Sequence, residues 1–311
     1  MYSIFPMKEN ILITGSSGYV GTHLIKKLLQ IKKDKYNIIG IDIVKPSFKS
    51  KYFKHLNFDI EKIKYEKYIS NNIDYIIHLG AVSHDKDFKK NPLSSYSINL
   101  NSTLKILDFA KKNNVKNFIF SSTEWVYGEN NKKKLLSEEM QLNFENLSSD
   151  YAKSKLICEK LIQSAHINKE ILKFQILRFG IIYGPREKAT AVEGIFNEIY
   201  NSQTIEINGS MNNSKKYIHI DDLVNAIIKS LNISNSNILN ICHDYSYKIS
   251  DIIKLSTNLL HKKNLSIKNK NKNYSNSRNP SNLKAKNKLR WKPKFTLGEG
   301  MKDIYEKIYK N

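Results

Sequence analysis

Residues 9–21 read Glu-Asn-Ile-Leu-Ile-Thr-Gly-Ser-Ser-Gly-Tyr-Val-Gly, and the fold turns on this stretch. Glu9 to Thr14 is a short apolar run with strand composition, and it ends in Gly15, Gly18 and Gly21, three glycines spaced by three. From Tyr19 to Gln30 the apolar residues Val20, Leu24, Leu28 and Leu29 recur at helical spacing, so the order is strand, tight turn, helix. Each glycine has a physical task. The first allows the tight turn, the second lets backbone approach a pyrophosphate, and the third lets the helix pack on the strand. The helix start then offers free N–H groups and the positive end of its dipole to phosphates. About 20 residues further on, Asp42 closes the next apolar run, where a carboxylate accepts hydrogen bonds from ribose hydroxyls. Together these features predict a dinucleotide site. A carboxylate at Asp42 repels a 2′-phosphate and so favours NAD, while Lys45, Lys49 and Lys51 nearby keep NADP open.

Outward from this stretch the pattern repeats. Apolar runs at 37–44 (NIIGIDIV), 73–79 (IDYIIHL), 117–122 (NFIFSS) and 174–179 (FQILRF) read as buried strands, with helical patterns at 93–112 and 150–165 between them. Strands alternating with helices give an α/β fold, a Rossmann-type doubly wound parallel sheet covered on both faces. After Pro185 the elements shorten, and a helix is predicted over 222–231. Residues 262–281 are polar enough to read as an extended surface loop, and Lys132, Lys133 and Lys134 as a solvated one. This organisation predicts a dinucleotide-binding domain over residues 1–180 and a smaller C-terminal α/β substrate-binding lobe over 181–311. Within that lobe, about 217–232 returns to the first domain.

With 311 residues and 40% hydrophobic content, the chain can build a sizeable core, which excludes a disulfide-stapled miniprotein and a disordered chain. The two cysteines, Cys158 and Cys242, fit a reducing compartment and form no Cys-x-x-Cys pair, so no metal is expected. The N-terminus lacks a signal-peptide core and no apolar run is long enough to span a bilayer, so the expected location is cytoplasmic, with no membrane partner. The net charge of +22 raises the question of nucleic acid. Of the 51 basic residues, however, only Arg178, Arg186, Arg278 and Arg290 are arginines, the residue type best suited to bidentate recognition of phosphates and guanines. The lysines are spread along the chain among many asparagines and read as a solvated surface, so no nucleic-acid partner is expected.

Tyr151 and Lys155 stand four apart on one predicted helix, which places a phenol and an ammonium on one face. A positive neighbour favours the phenolate, which can take a hydroxyl proton while hydride leaves for a nicotinamide. Tyrosine and lysine are abundant here, so the spacing alone carries little weight. The order of features carries more: glycine turn, acidic strand end, Ser121-Ser122-Thr123 closing a strand, then the Tyr/Lys pair. Thr123 can hydrogen-bond the same reacting oxygen.

With these residues in place, nearly the whole chain resembles the extended short-chain dehydrogenase/reductases, specifically the NAD-dependent epimerase/dehydratase family acting on nucleotide sugars. The marks are the glycine turn, Asp59-Ile60, His78-Leu79-Gly80-Ala81, Asn99, Ser121 to Thr123 followed by Val126-Tyr127-Gly128, Tyr151 with Lys155, and Leu177-Arg178 followed by Tyr183-Gly184-Pro185. Further along come Lys216 to Asp222 (KYIHIDD), Lys284-Ala285-Lys286 and 289–293 (LRWKP). The resemblance implies a catalytic triad of Thr123, Tyr151 and Lys155. It implies cofactor contacts from Gly15, Gly18, Tyr19, Val20, Gly21, Asp42, Asp59, Ile60, Leu79, Gly80, Ala81, Asn99, Tyr151 and Lys155. Substrate contacts are implied for Ser83, Thr123, Arg178, Lys215 and Arg278, with Lys215 standing where the family's arginine usually meets the diphosphate. A homodimer through the two central helices is implied as well.

Two departures bear on the reaction. Ile181 stands where the family commonly has an asparagine near the diphosphate. Dehydratases of the family follow the catalytic threonine with an aspartate and a glutamate, whereas this chain has Glu124 and Trp125, and related decarboxylases also carry a glutamate at the second position. A tryptophan is no base, so elimination lacks half its acid/base pair. The expected activity is therefore an NAD-dependent nucleotide-sugar 4-epimerase working through a 4-keto intermediate, with Glu124 either an acid or base in the sugar pocket or a structural residue. A 4,6-dehydratase, a 4-dehydrogenase or ketoreductase, and an NAD-sensing regulator on the same fold are the alternatives. Blander readings apply elsewhere: His84 and Asp85 as loop residues, Asp221-Asp222 as a helix cap, and His219 as a packed core histidine.

Overall fold

The computed structural model describes residues 8–31, 35–69, 72–128, 135–186, 190–271 and 277–310. The strands, in chain order, are β1 (Glu9–Thr14), β2 (Tyr36–Asp42), β3 (Phe53–Asn57), β4 (Tyr75–His78), β5 (Asn117–Thr123), β6 (Phe174–Phe179) and β7 (Ile181–Tyr183). They continue with β8 (Thr204–Asn208), β9 (Ser214–Lys215), β10 (Tyr217–His219), β11 (Asn237–Ile241), β12 (Tyr247–Lys248) and β13 (Ser266–Lys270). The helices are α1 (Tyr19–Ile31), α2 (Tyr65–Tyr68), α3 (Asp85–Lys90), α4 (Pro92–Lys112), α5 (Asp150–Ile167), α6 (Ala191–Asn201), α7 (Ile220–Ser230), α8 (Ile249–Leu259), α9 (Leu283–Leu289) and α10 (Leu297–Ile304). Among the described residues, no helix is long and apolar enough to cross a membrane.

The chain divides into two compact units. The first comprises Met1–Gly128, Asn143–Arg178 and Val224–Leu239; the second comprises Glu129–Leu142, Phe179–Leu223 and Asn240–Asn311. The returning segment thus begins later than the sequence reading placed it, and 129–142 joins the second unit.

The first unit is built on a seven-stranded sheet of order β11-β6-β5-β4-β1-β2-β3. β1 pairs in parallel with both β2 and β4, so the strand order reverses at β1, and the turns after β1 and β4 lie side by side at that switch point. On one face of the sheet the apolar strand residues Leu12, Ile41, Ile76, Phe118 and Ile176 pack with Ile106 and Phe109 of α4 and Ile162 of α5. The second unit has its own core of Val192, Phe196, Ile205, Ile252, Leu297 and Met301.

Residues 262–281 depart from the expected loop. Ser266–Lys270 forms β13, parallel to β8 and largely exposed, so backbone pairing with Thr204–Asn208 makes a strand that composition alone conceals. Lys132, Lys133 and Lys134 lie outside the described residues. Asp221 and Asp222 sit inside the first turn of α7 and not ahead of it. The buried Asp222 carboxylate accepts from the N–H groups of Lys294 and Phe295, both at 2.9 Å, which ties down the segment before α10. His219 is a core residue as expected, stacked on Phe295 at 4.0 Å between ring centroids, 3.4 Å from Asp303, and pushed down to about 4 by burial.

Candidate active site

The glycine turn is shaped by close approach. Gly15 has φ +68°, and a Cβ there would lie 2.7 Å from the Gly80 nitrogen in the turn after β4. A Cβ on Gly21 would lie 2.2 Å from the Gly15 carbonyl oxygen. Side chains at either position would therefore break the packing of turn on turn and of helix on turn. Gly18 donates to the Gly15 carbonyl at 3.2 Å, and Tyr19 and Val20 open α1 with no acidic residue in its first turn. At the end of β2 the Asp42 carboxylate accepts from the N–H groups of Ser17 and Val44, each at 3.0 Å, which holds it beside the turn. Asp59 accepts from the Glu61 N–H at 2.9 Å, and the Ile60 side chain backs Gly80. A bare cradle in which Gly15 and Gly21 admit no Cβ, a helix start without acids, and a fixed carboxylate at the β2 end fit a dinucleotide such as NAD.

Behind the turn runs a buried hydrogen-bond chain. Gly80 N–H donates to Thr14 Oγ1 at 3.1 Å, and Thr14 Oγ1 lies 2.6 Å from His78 Nδ1. His78 Nε2 lies 3.1 Å from Thr103 Oγ1, which donates to the Asn99 carbonyl at 2.7 Å. With the Thr103 proton committed, Nε2 carries the histidine proton and Nδ1 accepts. Burial, with Lys155 second, pushes His78 down to about 3, so it stays neutral. Asn99 extends the chain, bonding Val82 N at 2.8 Å, Val82 O at 3.0 Å and Ser154 Oγ at 2.9 Å, and Ser154 bonds the Tyr151 carbonyl at 2.8 Å. Leu79 donates to the Thr14 carbonyl at 3.3 Å, leaving Ala81 between two tethered neighbours. This chain joins the cofactor turn to the helix that carries Tyr151.

The structure brings Thr123, Tyr151 and Lys155 together where β5 ends against α5. Lys155 is buried; its Nζ donates to the Ser121 carbonyl at 2.7 Å and lies 4.6 Å from the Phe120 ring centroid and 6.0 Å from that of Tyr151. Burial pushes its ammonium down to about 8. Burial also raises the Tyr151 phenol, against a hydrogen bond with Thr123 that lowers it and with the Asp85 carboxylate raising it further. Within the chain itself, Lys155 points its donor at the Ser121 carbonyl, while desolvation and the Asp85 charge act on the phenol against its ionised form. Trp125 packs edge-on against Tyr151, with centroids 6.4 Å apart at 71°. Glu124 is buried in the 3-10 turn after Thr123, both carboxylate oxygens shielded from solvent, which places it inside the wall and away from open solvent.

Arg178, expected at the substrate, is corrected by its surroundings. It is 3% exposed and bonds Glu159 twice, Nε to Oε1 at 3.0 Å and Nη2 to Oε2 at 2.7 Å, with Nη1 on the Tyr127 hydroxyl at 3.0 Å. Ser122 Oγ donates to the same carboxylate at 2.5 Å. These contacts make Arg178 a clasp between β6, α5 and the end of β5. Ser83 is exposed, 3.3 Å from His84 Nδ1. In the second unit, Lys215 on β9 and the buried Arg278 are brought into neighbouring segments by Ser214, whose N–H donates to Ser277 Oγ at 3.2 Å. Ile181 pairs in β7 with Tyr217 of β10.

Sequence reasoning missed two residues. Glu159 reads as one more helical acid, and only an i,i+4 offset from Lys155 hinted at its inward face. Asp85, read as a loop residue, opens α3 and accepts from Ser149 Oγ at 2.8 Å and Tyr151 N–H at 3.1 Å.

Comparison with known proteins identifies the family. A dTDP-D-glucose 4,6-dehydratase of Dictyostelium discoideum is 29% identical over 81% of this chain, which spans 62% of that relative's length. A putative UDP-glucose 4-epimerase of Methanocaldococcus jannaschii is 25% identical over 94% of this chain and 96% of its own. The solved UDP-glucose 4-epimerase of Thermotoga maritima, with UDP-glucose, is 26% identical and superposes with a TM-score of 0.86, covering 97% of this chain and 99% of that one. The model of the NAD dependent epimerase/dehydratase family matches residues 11–242, and the chain belongs to that family.

Proposed function

We propose that the protein is a nucleotide-sugar 4-epimerase. The glycine turn from Gly15 to Gly21 and Asp42 hold NAD, which when bound accepts hydride from the sugar C4 and returns it to the opposite face. Tyr151 acts as the phenolate, taking the C4 hydroxyl proton as the ketone forms and giving it back as the ketone is reduced, so proton and hydride counts both close. Thr123 shares the reacting oxygen, and the Lys155 ammonium lowers the cost of charge on the phenol. Lys215 and Arg278 carry positive charge for the diphosphate, Lys215 as a point charge without the bidentate fork of arginine.

The observation that carries this reading over dehydration is Trp125. Its indole packs edge-on against Tyr151, where the dehydratase pattern has a carboxylate, and its neighbour Glu124 is buried. Oxidation at C4 has its residues, while elimination lacks its acid/base pair.

The test is incubation of the purified protein and NAD with UDP-, GDP-, CDP- and dTDP-sugars, followed by chromatography and mass spectrometry. The expected product is an isomer of unchanged mass. Loss of one water would make the enzyme a dehydratase, net reduction of added NAD would make it a 4-dehydrogenase, and tight NAD binding with no sugar changed would favour the regulator.

A further inference from the structure

We propose that Asp85 is a positioning residue for Tyr151, its carboxylate closing the first turn of α5 from outside while keeping a negative charge beside the phenol. The proposal rests on the reading of Tyr151 as the proton-transfer residue.

The geometry starts from the ordinary problem of a helix start, where the first N–H groups have no partner within the helix. In α5 the N-cap is Ser149, whose Oγ accepts from the Ala152 N–H at 3.1 Å. The Tyr151 N–H, also without a partner in the helix, is met from outside: Asp85 reaches across from α3 to take it. One oxygen, Oδ1, accepts both this N–H at 3.1 Å and the Ser149 hydroxyl at 2.8 Å. The Ser149 hydroxyl is thereby fixed, its lone pair on Ala152 and its proton on Asp85. The residue whose backbone is pinned is the one whose side chain carries the chemistry. A carboxylate at the positive end of a helix is also favourable by itself.

The charge has a second consequence. An anion near a phenol disfavours the phenolate, and Asp85 acts on Tyr151 in this sense. Besides Asp85, the groups that meet Tyr151 are Thr123 at the end of β5, Trp125 in the 3-10 turn and Lys155 on its own helix, which also carries Asp150 and Lys153. Asp150 bonds Tyr96 of α4 at 3.1 Å and Lys153 at 3.1 Å. Asp85 is therefore the carboxylate from a separate element that is tied to the tyrosine's own backbone, opposing the Lys155 charge.

Two variants separate the two effects. Asp85→Asn keeps an acceptor oxygen and removes the charge; Asp85→Ala removes both. In Asp85→Ala the kcat of epimerisation falls by about tenfold, with KM within about twofold, because a small displacement of a catalytic group is costly while substrate contacts are untouched. Asp85→Asn restores most of that rate and moves the acid limb of the kcat/KM profile to lower pH, on the order of half a unit. Hydrogen exchange of the Tyr151 and Ala152 amides gives a readout independent of turnover: protection falls about tenfold in Asp85→Ala and recovers in Asp85→Asn. Unchanged protection in Asp85→Ala overturns the positioning, and a superimposable pH profile in Asp85→Asn overturns the role of the charge. If the wild type converts no nucleotide sugar, the epimerase reading fails, while the amide protection still decides whether Asp85 fixes the turn.

Discussion

Lys155→Met should change how stability depends on pH, and the size of the change follows from where the ammonium sits. Lys155 is 3% exposed, its Nζ donates to the Ser121 carbonyl, and burial holds it at about 8 against an ordinary 10.5. This is the reverse of a lysine that gains a partner on folding. Below about pH 8 the lysine is charged in both states, and the folded state bears the full desolvation cost. Between about 8 and 10.5 the folded chain loses this proton while the unfolded chain keeps it, so unfolding takes up a proton and stability rises with pH. At about 1.4 kcal/mol for each tenfold change, the gap amounts to about 3 kcal/mol. The assay is urea unfolding of wild type and Lys155→Met at intervals from neutral to alkaline pH. Titrations common to both chains cancel in the difference. The expected result is a wild type that gains about 3 kcal/mol on the variant across this window, while the variant has lost turnover. Parallel stability curves would refute the claim that Lys155 is a desolvated charge. The same titration predicts that wild-type kcat falls as pH rises past about 8, because the charge supporting Tyr151 is then lost.

Glu159→Gln leaves the Arg178 guanidinium buried without its counter-charge and should cost about 3–5 kcal/mol of unfolding free energy, read by chemical denaturation. A loss below about 1 kcal/mol would mean that the clasp is incidental. Gly21→Ala puts a methyl 2.2 Å from the Gly15 carbonyl oxygen. Moving the turn to accommodate it costs about 1–3 kcal/mol, so NAD affinity by calorimetry should fall by about tenfold to a hundredfold.

Much of the first unit is legible in the sequence because its signals are local. The run 174–179 is β6 residue for residue, and the helix expected over 93–112 begins one residue earlier, at Pro92. The glycine turn is readable because close approach at Gly15 and Gly21 excludes a side chain, and that demand leaves letters in the sequence. What escaped is what depends on distant partners. Glu159 and Arg178 are 19 residues apart, Asp85 and Tyr151 are 66 apart, and neither pairing leaves a periodicity. β13 escaped for a different reason. Both its faces are largely exposed, so its residues were free to become lysine and asparagine, and backbone pairing with β8 is what defines it as a strand. Arg178 was misassigned because a conspicuous arginine in a lysine-rich chain suggests a ligand, yet arginine is equally the residue for a buried bidentate ion pair.

That ion pair bears on how α5 can hold a cation at Lys155. Glu159 follows Lys155 by one helical turn, the spacing at which a carboxylate and an ammonium attract each other on a helix. A full ion pair there would raise the lysine and draw its ammonium away from Ser121. Instead Arg178 takes both carboxylate oxygens and Ser122 takes one of them again, so Glu159 is committed to β6 and to the end of β5. Its residual field still raises Lys155, though less than burial lowers it. The ammonium is left bonded to the strand that ends in Thr123, on the helix that carries Tyr151. In the proposed reaction the clasp acts without touching the sugar: Arg178 and Ser122 hold Glu159, and Lys155, on the helix that carries Tyr151, keeps its bond to the Ser121 carbonyl. Stability is lower than an apolar residue at position 155 would allow, as is common where a site needs a charge that the fold alone would not keep.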